Sequence, residues 1–125
     1  MEPTNHQVTT CQRISEMLAR VGDKWTLLVI RELGKGPNRF NALQRQIGDI
    51  SQKMLSSTLR NLERDGFVSR TVTPVTPPAV EYALTNLGRD FLPVVCGIAT
   101  WTGDNMGQIE AARQAYDSRL AIAAE

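Results

Sequence analysis

The apolar positions along the chain follow two periods, and the changes between them outline the architecture. Ile14, Met17, Leu18 and Val21 fall at helical spacing and predict a first helix over Cys11–Arg20. Gly22 breaks it, and Asp23 is placed to cap a second helix over Lys24–Leu33. The Trp-Thr-Leu-Leu-Val-Ile run of that helix is apolar on most sides, as in a central buried helix. Gly34-Lys35-Gly36-Pro37 stops it. Asn38 then caps a short helix that turns Phe40, Leu43 and Ile47 inward and closes at Gly48-Asp49. Ser51 opens the next helix and Gly66 ends it. On a helical wheel Leu55, Leu59 and Leu62 lie within about 60° of one another, a buried stripe. The opposite face carries Lys53, Ser56, Ser57, Arg60 and Arg64, with Gln52 on the flank.

After Gly66 the period becomes alternating. Phe67-Val68-Ser69-Arg70-Thr71-Val72-Thr73 is rich in β-branched residues, and Pro74, Pro77 and Pro78 interrupt it. Val80, Tyr82 and Leu84 then alternate with Glu81 and Ala83, so a β-hairpin with a long Pro-rich loop is predicted. Thr85 is set to cap a last long helix with a seam of Leu87, Phe91, Val94, Ile98, Trp101 and Met106. Pro93 should bend this helix, and residues 108–124 should form an Ala-rich, weakly amphipathic one. Helix, short helix, the turn Gly48-Asp49-Ile50, helix and hairpin is the order of a winged helix-turn-helix. That makes the fold mainly α with a small β-hairpin (α+β). The recognition helix would be Ser51–Asp65 and the wing Thr73–Pro78.

Composition narrows the chemistry. The 125 residues suit one domain with a core that requires neither disulfides nor metal. One His (His6) and two Cys 85 positions apart argue against a zinc site and a His-based triad. Neither a cofactor nor catalysis is expected. Residues 1–10 are polar, are expected to be flexible, and lack a secretory pattern. The uncharged run Phe91–Gly103 spans 13 residues, too short for a bilayer, so a soluble cytoplasmic protein without a membrane partner is expected.

The net charge of +1 hides a polarised distribution. Arg20–Arg70 holds ten basic residues against five acidic ones, a local excess of +5, and the remainder carries −4. A basic middle between acidic ends suits a protein that turns one face to a polyanion. A major groove about 12 Å wide admits one α-helix with its N-terminal half against the base edges. Gln52, Lys53, Ser56, Ser57 and Arg60 are the candidates for base contact. Lys24, Lys35, Arg39, Lys53 and Arg60 are the candidates for phosphate. Arg70, at the base of the hairpin, is the wing's basic candidate, because the tip has no Lys or Arg.

The chain resembles the HxlR family of bacterial transcriptional regulators. The resemblance rests on Gly22-Asp23-Lys24-Trp25-Thr26-Leu27-Leu28-Val29-Ile30, Arg39-Phe40-Asn41-Ala42-Leu43 and Ile50-Ser51-Gln52-Lys53-Met54-Leu55. It continues through Leu59-Arg60-Asn61-Leu62-Glu63-Arg64-Asp65-Gly66, Pro77-Pro78-Ala79-Val80-Glu81-Tyr82-Ala83-Leu84-Thr85-Asn86-Leu87-Gly88 and Trp101. These segments cover about residues 11–103. The resemblance implies a winged-helix homodimer that binds an inverted-repeat double-stranded DNA operator, by default as a repressor. Residues 24–84 would form the DNA-binding core, and 11–21 and 86–124 the dimerisation helices. The family often has Pro after the N-terminal Cys and a basic residue after the paired prolines, where this chain has Gln12 and Ala79.

In several family members the residue corresponding to Cys11 is a thiol switch, so an electrophile or an oxidant is the implied effector. A Cys at a helix N-terminus gains thiolate character from the helix dipole, and Arg13 would push the same way. Cys96 lies on the last helix, where a Cys11–Cys96 bridge between subunits would cross the implied interface. Trp25 and Phe40 are assigned to the core, and Met17, Met54 and Met106 to gap filling. Trp101, with Phe91 and Met17 near it in this scheme, divides between dimer packing and a pocket for an aromatic effector. Two other classes compete with the DNA-binding regulator. A winged-helix module for protein contacts would bind duplex DNA without a steep salt dependence. A thiol enzyme would need a second catalytic group near Cys11, and the sequence offers none.

Overall fold

In the computed structural model, which describes residues 3–124 and side chains from Thr10 onward, the chain opens with helix α1 (Pro3–Val21). It continues through α2 (Lys24–Leu33), strand β1 (Asn38–Arg39), α3 (Phe40–Ile47) and α4 (Gln52–Arg64). Strands β2 (Val68–Thr73) and β3 (Ala79–Leu84) precede a last helix, α5 (Asn86–Ala124).

Helices α2 and α4 each begin where a side chain accepts from a free N–H group of the first turn. At α2 the Asp23 carboxylate accepts from the Thr26 N–H at 3.1 Å and from its hydroxyl at 2.9 Å. Thr26 is buried, so this one carboxylate both caps the helix and pairs a hydroxyl that water cannot reach. Asp23→Ala is therefore expected to cost about 1–3 kcal/mol, the loss of a cap plus an unpaired buried hydroxyl. Asp23→Asn should cost clearly less. Urea denaturation of the three proteins checks the order.

At α4 the Ser51 hydroxyl accepts from the Met54 N–H at 3.0 Å. The helix ends at Asp65, and Gly66 takes the left-handed φ of +86° that turns the chain into β2. Leu55, Leu59 and Leu62 are all buried, which confirms the stripe. They join Val29, Ile30 and Leu33 of α2, Leu43 of α3, Ile50, Phe67, Val68 and Leu84 in the core. Burying one such Leu or Ile contributes roughly 1.5–3 kcal/mol, so α4 is anchored by its stripe and leaves its other face free.

The sheet is antiparallel with strand order β1-β3-β2. Its register pairs Val68 with Leu84, Arg70 with Tyr82 and Thr73 with Ala79, leaving residues 74–78 as the hairpin tip. Helix, turn, helix and hairpin together make the expected winged helix-turn-helix.

Several expectations are corrected. Asn38 does not cap the third helix. It lies in β1, paired with Tyr82 of β3, and its amide donates to Gln46 Oε1 at 2.9 Å. Arg39 takes the cap position of α3 without a side-chain hydrogen bond. The first helix starts at Pro3 rather than Cys11, while the expected flexibility of residues 1–10 falls partly on Met1 and Glu2 and on side chains outside the described residues. The segment 108–124 is not a separate helix, because α5 runs unbroken through Pro93, Gly103 and Gly107. Met54 fills no gap, since it is 42% exposed.

Contacts divide the chain into two compact units, residues 1–92 and 93–125. In the first, the α5 start is fastened to the turn after α4: the Thr85 hydroxyl donates to the Gly66 carbonyl at 2.6 Å and accepts from the Gly88 N–H. Phe91 stacks on Phe67 with ring centroids 5.2 Å apart. In the second, Thr102 donates to the Ile98 carbonyl at 2.7 Å and Asn105 to the Trp101 carbonyl at 2.8 Å. Most of the residues that the sequence assigns to the seams of α1 and α5 are exposed in the single chain. Ile14, Leu87, Val94 and Ile98 are open to solvent, Leu18 is 64% exposed and Trp101 62%, while Met17, Phe91 and Met106 are half-buried. Among the described residues no helix is long and apolar enough to cross a membrane.

Candidate nucleic-acid interface

The buried stripe of α4 decides what its other side presents. Since Leu55, Thr58, Leu59 and Leu62 face the core, geometry at about 100° per residue centres the outer face on Lys53, Ser57, Arg60 and Arg64. All four are exposed. Gln52 and Ser56 lie on the flank, Gln52 exposed and Ser56 half-buried. The helix thus shows amide, hydroxyl, ammonium and guanidinium groups along one side, the donor and acceptor types that base edges and phosphates accept. The Arg60 Nη2 donates to Ser56 Oγ at 3.5 Å, a long contact that draws the guanidinium toward the flank.

The wing lies beside that flank. Ser56, Arg60 and Glu63 of α4 line one polar cleft with Arg70 of β2 and Tyr82 of β3. Arg39, Phe40, Asn41, Ala42 and Arg45 line a second with Pro78, Ala79 and Val80 of the wing. The hairpin tip itself has no basic residue, so Arg39 and Arg45 bring positive charge to its edge from β1 and α3. Phe40, expected in the core, is half-buried at this cleft.

Two of the candidate phosphate residues stand elsewhere. Lys24 Nζ lies over the half-buried Trp25 ring, 4.6 Å from its centroid. Lys35 Nζ pairs with Glu32 Oε1 at 2.9 Å, which offsets its charge. Neither lines the two clefts at the wing. A partly buried ion pair at 2.8 Å joins Arg20 near the end of α1 to Asp65, the C-terminal cap of α4. Arg20 thereby serves the position of α4 rather than its outer face.

The two thiols are free and exposed. Cys11 lies eight residues inside α1, so the expected help from a helix N-terminus does not apply; that field fades beyond the first turn. Cys96 sits on the part of α5 that belongs to the second unit. Trp101 is exposed there, and Phe91 is occupied by Phe67 in the first unit.

Sequence reasoning missed Arg45 as a neighbour of the wing and Tyr82 as a neighbour of the recognition helix. Arg45 was legible only as one of ten basic residues. Tyr82 was legible only as one of the alternating residues Val80, Tyr82 and Leu84, because its pairing with Arg70 depends on the register across a five-residue loop.

The profile of the HxlR-like helix-turn-helix family matches residues 20–110. The uncharacterised HTH-type transcriptional regulator YtfH of Escherichia coli K12 is 42% identical over 98 residues, 78% of this chain and 78% of that protein. A solved structure of the YtfH regulator from Salmonella typhimurium superposes with a TM-score of 0.73 at 41% identity, over 80% of this chain and 89% of that one. The redox regulator HypR in its reduced form gives a TM-score of 0.73 at 36% identity, over 79% of this chain and 98% of its own.

Proposed function

Because the chain belongs to the HxlR-like helix-turn-helix family of transcriptional regulators, we propose that it is a repressor that binds an inverted-repeat DNA operator as a homodimer. The observation that carries this reading is the outer face of α4. A helix anchored by a buried Leu stripe holds Lys53, Ser57 and Arg60 outward beside a wing. Gln52, Lys53, Ser56 and Ser57 contact base edges, Arg60 and Arg39 contact phosphate or guanine, and Arg70 serves the wing. Lys24 and Lys35 contribute less, since one is engaged by Trp25 and the other by Glu32. The exposed apolar residues of α1 and α5 are covered by a second copy, which accounts for side chains as large as Leu18 and Trp101 facing solvent in one chain. The protein acts by binding, without catalysis. Selection from random duplex DNA tests this: it should enrich a palindrome whose half-sites are about one helical turn apart. Enrichment of no sequence would contradict it.

Regulation passes through Cys11. It is free and exposed, and HypR, similar over most of its length, is a redox regulator. Oxidation of two thiols to a disulfide gives two electrons and two protons to an oxidant such as diamide. After diamide the wild-type protein should change its operator affinity at least about fivefold, near the lower range of measured allosteric couplings. Cys11→Ser should not respond. An equal response from both proteins removes Cys11 from this role, and Cys96→Ser reports whether Cys96 is the partner thiol.

A further inference from the structure

We propose that the cleft of about 240 Å³ between α4 and the wing seats one DNA backbone phosphate, held by Arg60, Arg70 and the Tyr82 hydroxyl. The proposal rests on the DNA-binding reading above and gives it a specific contact.

The seat follows from the period of the hairpin. Paired residues across an antiparallel ladder share a face, and every second pair returns to it. Val68 with Leu84, Arg70 with Tyr82 and Val72 with Val80 therefore lie on one face of the sheet. The first pair is buried in the core. Two residues further out, the same face leaves the core as Arg70 and Tyr82, opposite Ser56, Arg60 and Glu63 of α4. Here the cleft becomes polar, with two guanidinium groups, a phenol and a hydroxyl around it. Arg70 is exposed, whereas Tyr82 is half-buried and lines the cleft.

Arginine matches a phosphate through paired N–H groups, and a phenol adds one neutral donor. The Arg60 guanidinium lies on this flank, 3.5 Å from Ser56 Oγ. Glu63 lowers the charge of the cleft from +2 to +1. Among the described residues it forms no ion pair with either arginine, so neither guanidinium is consumed by it. Arg60 is thus assigned to positioning the helix on the backbone, and base readout falls to the residues N-terminal to it.

The test uses the full-length protein, a selected operator duplex and an unrelated duplex of equal length, titrated by fluorescence anisotropy over a range of salt. Arg70→Ala should weaken both duplexes by a similar factor, about five- to tenfold, and reduce the magnitude of the log–log salt slope by about 2, one phosphate contact in each subunit of the dimer. Tyr82→Phe, which keeps the ring, should weaken both about threefold with the slope unchanged, as expected for loss of one neutral donor. Arg70→Lys should restore the slope, and Glu63→Gln should tighten both duplexes. Thermal melts near wild type separate these effects from misfolding. A change in the ratio of operator to unrelated affinity would assign the cleft to base readout and overturn the proposal. So would unchanged affinity in both Arg70→Ala and Tyr82→Phe while the wild type still binds. Inorganic phosphate at matched ionic strength should leave DNA binding unaltered. Displacement of DNA that disappears in Arg70→Ala would reassign the cleft to a small anion. A wild type that binds neither duplex removes the DNA-binding reading itself, along with the seat.

Discussion

Gly88→Ala should destabilise the protein by at least about 3 kcal/mol, the upper end for overpacking, because the obstructing atom is backbone. A β-carbon built at Gly88 would stand 2.2 Å from the Phe67 carbonyl oxygen and 3.1 Å from a Leu84 methyl group. Relief is blocked on both sides. The Phe67 carbonyl already accepts from the Thr85 N–H at 3.0 Å, and the Gly88 N–H donates to the Thr85 hydroxyl. Moving α5 away would break these bonds together with the stacking of Phe91 on Phe67. For a chain of this length such a loss lowers Tm by about 10 °C. Calorimetry checks it, and a Tm within about 2 °C of wild type would show that the start of α5 is looser than its bonds indicate. The variant should also lose DNA binding near its melting range, since Thr85 ties α5 to the turn that ends α4.

Lys53→Glu should do the opposite, leaving the fold intact while abolishing recognition. Lys53 is exposed, in the first turn of α4, at the centre of the outer face. A carboxylate at a helix N-terminus is stabilising by about 0.3–1 kcal/mol, so the melting temperature should hold or rise slightly. On DNA the same change removes a cation that contacts base or phosphate and substitutes a charge that the phosphates repel. One good base contact is worth about 1–3 kcal/mol, so the combined loss should exceed about a hundredfold in Kd. Anisotropy titration at fixed salt measures it. An affinity within a factor of three of wild type would remove α4 from the interface.

What the sequence made legible depended on whether the signal was local. The limits of α2 and α4 were readable because Asp23 and Ser51 cap them through bonds three residues long, and Gly66 supplies the turn. The stripe of Leu55, Leu59 and Leu62 was readable because a buried helix face must repeat every three or four residues. Strand β1 was not. Asn38 and Arg39 carry no strand pattern, and their conformation is decided by β3, more than forty residues away in sequence. The join within α5 was missed for the opposite reason. The pattern carries the last helix through Pro93, Gly97 and Gly103 as far as Met106, but Gly107 is a local stop signal, and α5 continues through it.

The outer face of α4 could be listed from the sequence, but its neighbours across the wing could not. Whether Tyr82 or Glu81 faces Arg60 turns on one residue of register, which a Pro-rich tip leaves open. The place of Cys11 changed for a similar reason. Its distance from the helix start was decided by the segment before it, which has no clear periodicity.

The account stands on α4 meeting the DNA backbone and bases together, and a salt titration of the wild-type protein on a selected duplex and its scrambled counterpart tests that most directly. Each phosphate neutralised contributes about −0.9 to the slope of log K against log salt, so a dimer with five or more such contacts should give a slope steeper than about −4. The selected duplex should be bound at least about a thousandfold more tightly than the scrambled one at physiological salt. A shallow slope with equal affinity for the two duplexes would contradict the account.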